Sequence, residues 1–251
     1  MAEPLLSLRA LVKRFGGLLA TDEVGLDLAA GELHALIGPN GAGKTTLLAQ
    51  IAGNLAPDSG AILFEERDIV ALGQHRRVAA GIARSHQITS LFGPLSVLDN
   101  LALAVQARSG SSLSFWRPLG AETRLFDEAR ALAELIGLGE RTALRADTLS
   151  HGEQRVLEVG LALATRPRLL LLDEPMAGLG PDETARMIAL IERVRAGITV
   201  LLVEHDMDAV FRLAERISVL VGGRVIASGA PAAIRADGEV RRAYLGDELA
   251  A

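Results

Sequence analysis

The sequence of 251 residues contains no cysteine. That excludes disulfides, thiolate metal sites and cysteine nucleophiles, and it permits a reducing compartment. Lysine is almost absent too. It occurs only at Lys13 and Lys44, so arginine supplies nearly all the remaining positive charge. There is no basic excess: 26 Lys and Arg stand against 31 Asp and Glu, for a formal net charge of -5. No nucleic-acid partner is therefore expected. No run reaches the ~18 uninterrupted apolar residues that a membrane span needs. The apolar runs at 169–172 (LLLL) and 200–203 (VLLV) are of strand length. Work at a membrane would have to be done from the aqueous side, through a partner. The opening stretch, MAEPLLSLRALVKRF, has an early acid and no long apolar core, and does not read as a signal peptide. Internal repeats and low-complexity segments are lacking.

What is present suits a packed core. The hydrophobic fraction is 49% and the charged fraction 23%. The length fits one large α/β domain, or one domain carrying a small subdomain. The first 40 residues read as short strands and turns. Residues 33–37 form an apolar run that ends at a glycine loop. An apolar-periodic stretch with Leu47, Leu48 and Ile51 follows, which gives the order strand, loop, helix. Pro57, Asp58, Ser59 and Gly60 mark a turn, and 61–64 suit another strand. Helix-period residues recur at 97–108 and 121–137, separated by SGSSLSFWRPLG. A mostly helical subdomain at about 88–165 with an inserted loop is expected. Strand and helix then alternate: strands at 169–173 and 198–203, helices at 181–194 and 206–213. That alternation predicts an α/β fold with a largely parallel sheet.

The glycine loop carries chemistry. Gly38, Pro39, Asn40, Gly41, Ala42, Gly43, Lys44 and Thr45 match G-x4-G-K-[ST], and Thr46 continues the turn into the helix. Glycines let the backbone fold tightly and aim several N–H groups inward as an anion nest. The helix N-terminus behind the loop favours the same charge. Lys44 would reach the β- and γ-phosphates of a nucleotide, and the Thr45 hydroxyl would bind Mg²⁺. The blander reading is a glycine turn before a helix. By this composition the pattern arises by accident roughly once in several hundred such sequences, and a strand before with a helix after lowers that further. A lysine at this one place is informative in a chain so poor in lysine. Its compact ammonium suits a phosphate cradle.

The strand at 169–173 ends in two carboxylates, Asp173 and Glu174. Ligands sit at the carboxyl ends of strands in such folds. Successive strand side chains point opposite ways. Asp173 can then serve a Mg²⁺ shell while Glu174 faces elsewhere, as the base that polarises the attacking water. Two solvated acids at a strand end is the rival reading. It loses ground beside a phosphate loop.

These motifs resemble a P-loop NTPase, and further residues narrow the resemblance to ABC (ATP-binding cassette) ATPases. Leu149-Ser150-His151-Gly152-Glu153-Gln154 resembles the LSGGQ signature. Ser150-x-x-Glu153 is also an ordinary capping box, and both readings can hold at once. Phe15 stands where the family stacks an aromatic ring on adenine. Gln87 matches the glutamine of the Q-loop, residues 177–180 the D-loop, and His205 the switch histidine. The resemblance spans essentially the whole chain, with the motifs in order. It implies a single cassette domain, 1–251, with a P-loop NTPase core, a mostly parallel sheet, an N-terminal antiparallel β part and a helical subdomain. It implies ATP and Mg²⁺ as ligands. Gln87 would touch nucleotide and metal where sheet meets helices, and His205 would assist catalysis beside Glu174. Ser150, Gly152 and Glu153 would approach the γ-phosphate held by a second ATPase subunit. Two departures stand out. His151 and Glu153 replace a glycine and a glutamine of the signature, and Gly180 stands where many relatives carry the D-loop aspartate.

GIARSHQ, LFGPLSVLDNL, LATRPRLLLLDEPMAGLGPDET and RRAYLGD resemble ATPases of branched-chain amino acid uptake systems, as does the insert around Phe115 and Trp116. Urea or amide importers are similar in the signature region. The implied partners are membrane permease subunits, a second ATPase subunit and, indirectly, a substrate-binding protein. The implied place is the cytoplasmic face of the cell (inner) membrane, held peripherally. Two alternatives stay open: a soluble non-transport ABC ATPase, and the ATPase of a lipopolysaccharide-type exporter. A DNA-repair ATPase would need coiled-coil heptads between its motifs, and a GTPase would need N-K-x-D. Neither is present.

Overall fold

The computed structural model describes residues 3–85, 91–108 and 119–245. Its elements run β1 (Pro4–Phe15), β2 (Leu18–Ala29), β3 (Leu33–Ile37), α1 (Lys44–Ala52), β4 (Ser59–Phe64), β5 (Arg67–Asp68), α2 (Gln74–Ala80) and β6 (Ile82–Arg84). Then come α3 (Val97–Arg108), α4 (Leu119–Leu135), α5 (His151–Ala164), β7 (Leu169–Asp173), α6 (Pro181–Val194), β8 (Thr199–Val203), α7 (Met207–Leu213), β9 (Arg216–Val221), β10 (Arg224–Gly229) and α8 (Pro231–Ala236).

Two sheets form. One is antiparallel, in the order β2-β1-β4-β5. The other runs β10-β9-β3-β8-β7-β6, parallel except for the β9–β10 hairpin. The short apolar runs become β3, β7 and β8, and every residue of each is buried. Both faces of the sheet are covered, so an unbroken run such as LLLL is what burial demands. Alternation then divides each strand between two cores. Leu170, Leu172, Val200 and Leu202 face the core shared with α3 to α7. Leu169, Leu171, Leu201 and Val203 face the core shared with α1 and the antiparallel sheet. Helices α3, α4 and α5 pack on one another through Leu101, Ala129, Ala133 and Leu157.

The opening strands differ from expectation. They are two long strands of 12 residues rather than short ones. Register shifts between Leu8 and Leu11 and again near Lys13 interrupt the alternation, and Ala10 (φ 46°) and Glu23 (φ 50°) adopt left-handed backbone. Such bulges break the period-2 signal while the pairing continues. Elsewhere the expected elements stand within a few residues of their expected bounds.

Candidate nucleotide site

The phosphate loop leaves the carboxyl end of β3 and enters α1. Gly38 (φ 152°) and Gly43 (φ 105°) both lie where only glycine fits. A Cβ on Gly38 would strike the Leu220 carbonyl oxygen, and one on Gly43 that of Ala20. The loop is thus clamped between β9 and β2. Gly43 caps α1 without a side-chain hydrogen bond, and no acid stands in the first turn. The first amides of α1 are left for an anion. Asn40, Gly41 and Thr45 are exposed, and Thr46 half-buried.

Lys44 folds back over its own loop. Its Nζ donates to the Gly38 carbonyl at 2.6 Å and the Pro39 carbonyl at 3.1 Å. Burial pulls its ammonium below the usual lysine range, while the charges of Glu174 and Asp173 pull it back up. Loop and acids therefore share one electrostatic site.

Asp173 ends β7, which follows β8 outward from β3. It is only 2% exposed. Its Oδ2 accepts from Arg84 Nη2 at 2.7 Å, and its Oδ1 is buried with no hydrogen-bond partner. Arg84, at the end of β6, was not visible as a site residue in the sequence. Its partner lies 89 positions away. Glu174 stands one residue past the strand with φ 48°, a rare backbone for a non-glycine residue. Its N–H donates to the Val203 carbonyl at 2.8 Å. Its direction is thus set by a turn rather than by strand alternation, and strain of this kind collects at functional sites.

His205 follows β8, with its side chain largely exposed. Beside it Glu204, 1% exposed, accepts from the backbone N–H groups of Met176, His205 and Asp206. Sequence reading missed Glu204, because one of its partners is 28 positions distant. Phe15, at the β1–β2 turn, is 47% exposed, with Lys13 Nζ 5.7 Å from its ring centre. An aromatic face left open in this way can stack on a base.

Ser150 caps α5. The capping box is complete: Ser150 Oγ accepts from Glu153 N at 3.2 Å, and Glu153 Oε2 accepts from Ser150 N at 2.9 Å. A Cβ on Gly152 would meet the Glu183 carboxylate, the mobile end of a flexible side chain. Glu183 also accepts from Ser150 Oγ at 3.4 Å and from Gly180 N at 3.3 Å. Glu183 is a third residue that the sequence did not announce. Gln87, and the insert with Phe115 and Trp116, lie outside the described residues.

Comparisons with known proteins bear on the fold and the family. A family model for "ABC transporter" matches residues 21–177. The chain belongs to the ABC transporter ATP-binding family. A second model, "Branched-chain amino acid ATP-binding cassette transporter", matches the cassette at residues 224–250. The cassette is 39% identical to the high-affinity branched-chain amino acid transport ATP-binding protein LivG of Escherichia coli, over 98% of this chain and 100% of that one. It is 37% identical to BraF of Pseudomonas aeruginosa, with the same coverage. Against the lipopolysaccharide export system ATP-binding protein LptB of Escherichia coli it is 36% identical, over 97% and 98%. Among solved structures, an ATP-binding cassette in its ADP conformation superposes with a TM-score of 0.84 at 28% identity, over 98% of this chain and 100% of that one. The cassette is thus an α/β nucleotide-binding fold of the expected kind.

Proposed function

We propose that this cassette is the ATP-hydrolysing subunit of a membrane importer for branched-chain amino acids or chemically related small amino acids and amides. The observation that carries the hydrolytic reading is the clamped phosphate loop, with Lys44 Nζ on the Gly38 and Pro39 carbonyls, in one sheet with the buried Asp173, whose Oδ1 has no hydrogen-bond partner. A nucleotide phosphate entering the loop would meet the free amides of α1 and draw Lys44 off the Gly38 and Pro39 carbonyls. Phe15 would stack on the base. Glu174 would orient and polarise the attacking water, and His205 would hold the γ-phosphate side of the site. The residues fit Mg²⁺: Asp173 Oδ1 is buried and unpartnered, and the Thr45 residue is open. Among the described residues no cluster of three His, Cys, Asp or Glu forms a protein-only metal cage. That suits an ion held largely by phosphates, with Thr45, Asp173 and Gln87 supporting it and the metal neutralising phosphate charge.

Two such chains would work head to tail as a homodimer or heterodimer, Ser150, Gly152 and Glu153 of one facing the phosphates of the other. The whole chain would act as one cassette, its helical part at about 88–165 carrying motion to permease subunits. Among the described residues no helix is long and apolar enough to cross a membrane. An exposed groove with Phe92, Leu103 and Leu161 offers a permease a place on that part. The chain would sit peripherally on the cytoplasmic face. Co-purification of the tagged chain from detergent-solubilised membranes tests this. Polytopic permeases and a second ATPase subunit are expected by mass spectrometry. An ATPase that emerges without any membrane partner would refute the importer reading.

A further inference from the structure

The loop after Glu174 and the loop carrying His205 are held by one buried side chain. β7 and β8 are parallel neighbours, with Asp173 level with Val203. Both strands therefore release their loops at the same height. Glu204, the first residue past β8, is 1% exposed. Its Oε1 accepts from Met176 N at 2.8 Å, two residues beyond Glu174. Its Oε2 accepts from His205 N at 3.0 Å and Asp206 N at 3.4 Å. The Nδ1 of His205 lies 3.9 Å from the same oxygen. With the bond from Glu174 N to the Val203 carbonyl, these contacts close a small ring of backbone that contains both proposed catalytic residues.

We infer that Glu204 is a positioning residue for ATP hydrolysis, its carboxylate setting the Glu174 turn and the His205 turn in one fixed relation. The inference rests on the site proposed above. A carboxylate suits this post because both of its oxygens only accept, and three N–H groups point at them. A glutamine in the same place would turn an NH₂ group toward amide donors. Burying the charge is costly, and burial pushes the Glu204 carboxyl above the usual glutamate range despite those bonds.

The test is steady-state ATP hydrolysis by the full-length chain carrying Glu204→Gln, His205→Ala or both. Glu204→Gln should lower kcat by about 10- to 100-fold, the scale on which a misplacement of about an ångström acts. The KM for ATP should stay within about 2-fold, since the phosphate loop is untouched. The double variant should lose less than the product of the two single losses, because Glu204 acts partly through that loop. Should Glu204→Gln fail to fold, Glu204→Asp keeps the charge with a side chain about 1.5 Å shorter. It cannot span Met176 and His205 together, and the same fall in kcat is expected. An unchanged kcat in either folded variant, or fully multiplicative losses in the double variant, would overturn the inference. Full turnover in Glu174→Gln would instead sink the site reading beneath it.

Discussion

At the scale of single residues, the lysine folded over its own loop gives the sharpest expectation. Lys44→Ala should weaken ATP affinity by at least about tenfold, since a hydrogen bond to a charged partner is worth about 1.5–3 kcal/mol. Fluorescent-nucleotide titration reads it, and unchanged affinity would remove Lys44 from the site. Gly43→Ala should destabilise the fold by about 1–3 kcal/mol from backbone strain alone, with the Ala20 carbonyl in the way of the new methyl. A denaturant midpoint as high as that of the unaltered chain would show that the loop can give way. The loop was legible because its residues are consecutive and its chemistry needs that spacing. Arg84, Glu183 and Glu204 were not. Each acts through a partner 89, 33 or 28 positions away, which no local pattern discloses.

At the scale of elements, period decides what can be read. Strands buried on both faces show as unbroken apolar runs, and β3, β7 and β8 were legible on that ground. The long hairpin of β1 and β2 was not, because left-handed residues at Ala10 and Glu23 cut its alternation into short pieces. The helices α3, α4 and α5 meet at a clamp that only the fold reveals. Arg108, the last residue of α3, grips Glu128 of α4 through two bonds of 2.7 and 2.8 Å and also reaches the Ala164 carbonyl ending α5. The Arg108 guanidinium holds the Glu128 carboxyl below the usual range. A depressed carboxyl stabilises the fold above its ordinary value, near pH 4.3, and that stability is lost as pH falls through the folded value. Being partly exposed, the clamp is worth at most ~1 kcal/mol. Thermal melts from neutral pH down to about pH 2, below the ordinary carboxylate range, should show a smaller loss in Glu128→Gln than in the unaltered chain. Equal losses would mean that the clamp does not titrate there.

At the scale of the whole molecule, two cores share one sheet, and the site lies where its parallel strands end. The order of motifs along the chain disclosed this plan, because the phosphate loop, Asp173 and His205 stand at or just past strand ends and Ser150 opens a helix. The groove proposed to receive a permease was less legible, since exposed apolar residues such as Phe92 and Leu103 gain meaning only when a fold gathers them. The central claim is that this sheet end hydrolyses ATP with Glu174 as its base. Glu174→Gln tests it most directly, by phosphate release and by bound nucleotide in the same sample. Turnover should fall about 10²- to 10⁴-fold while ATP stays bound; turnover at the unaltered rate would contradict the account.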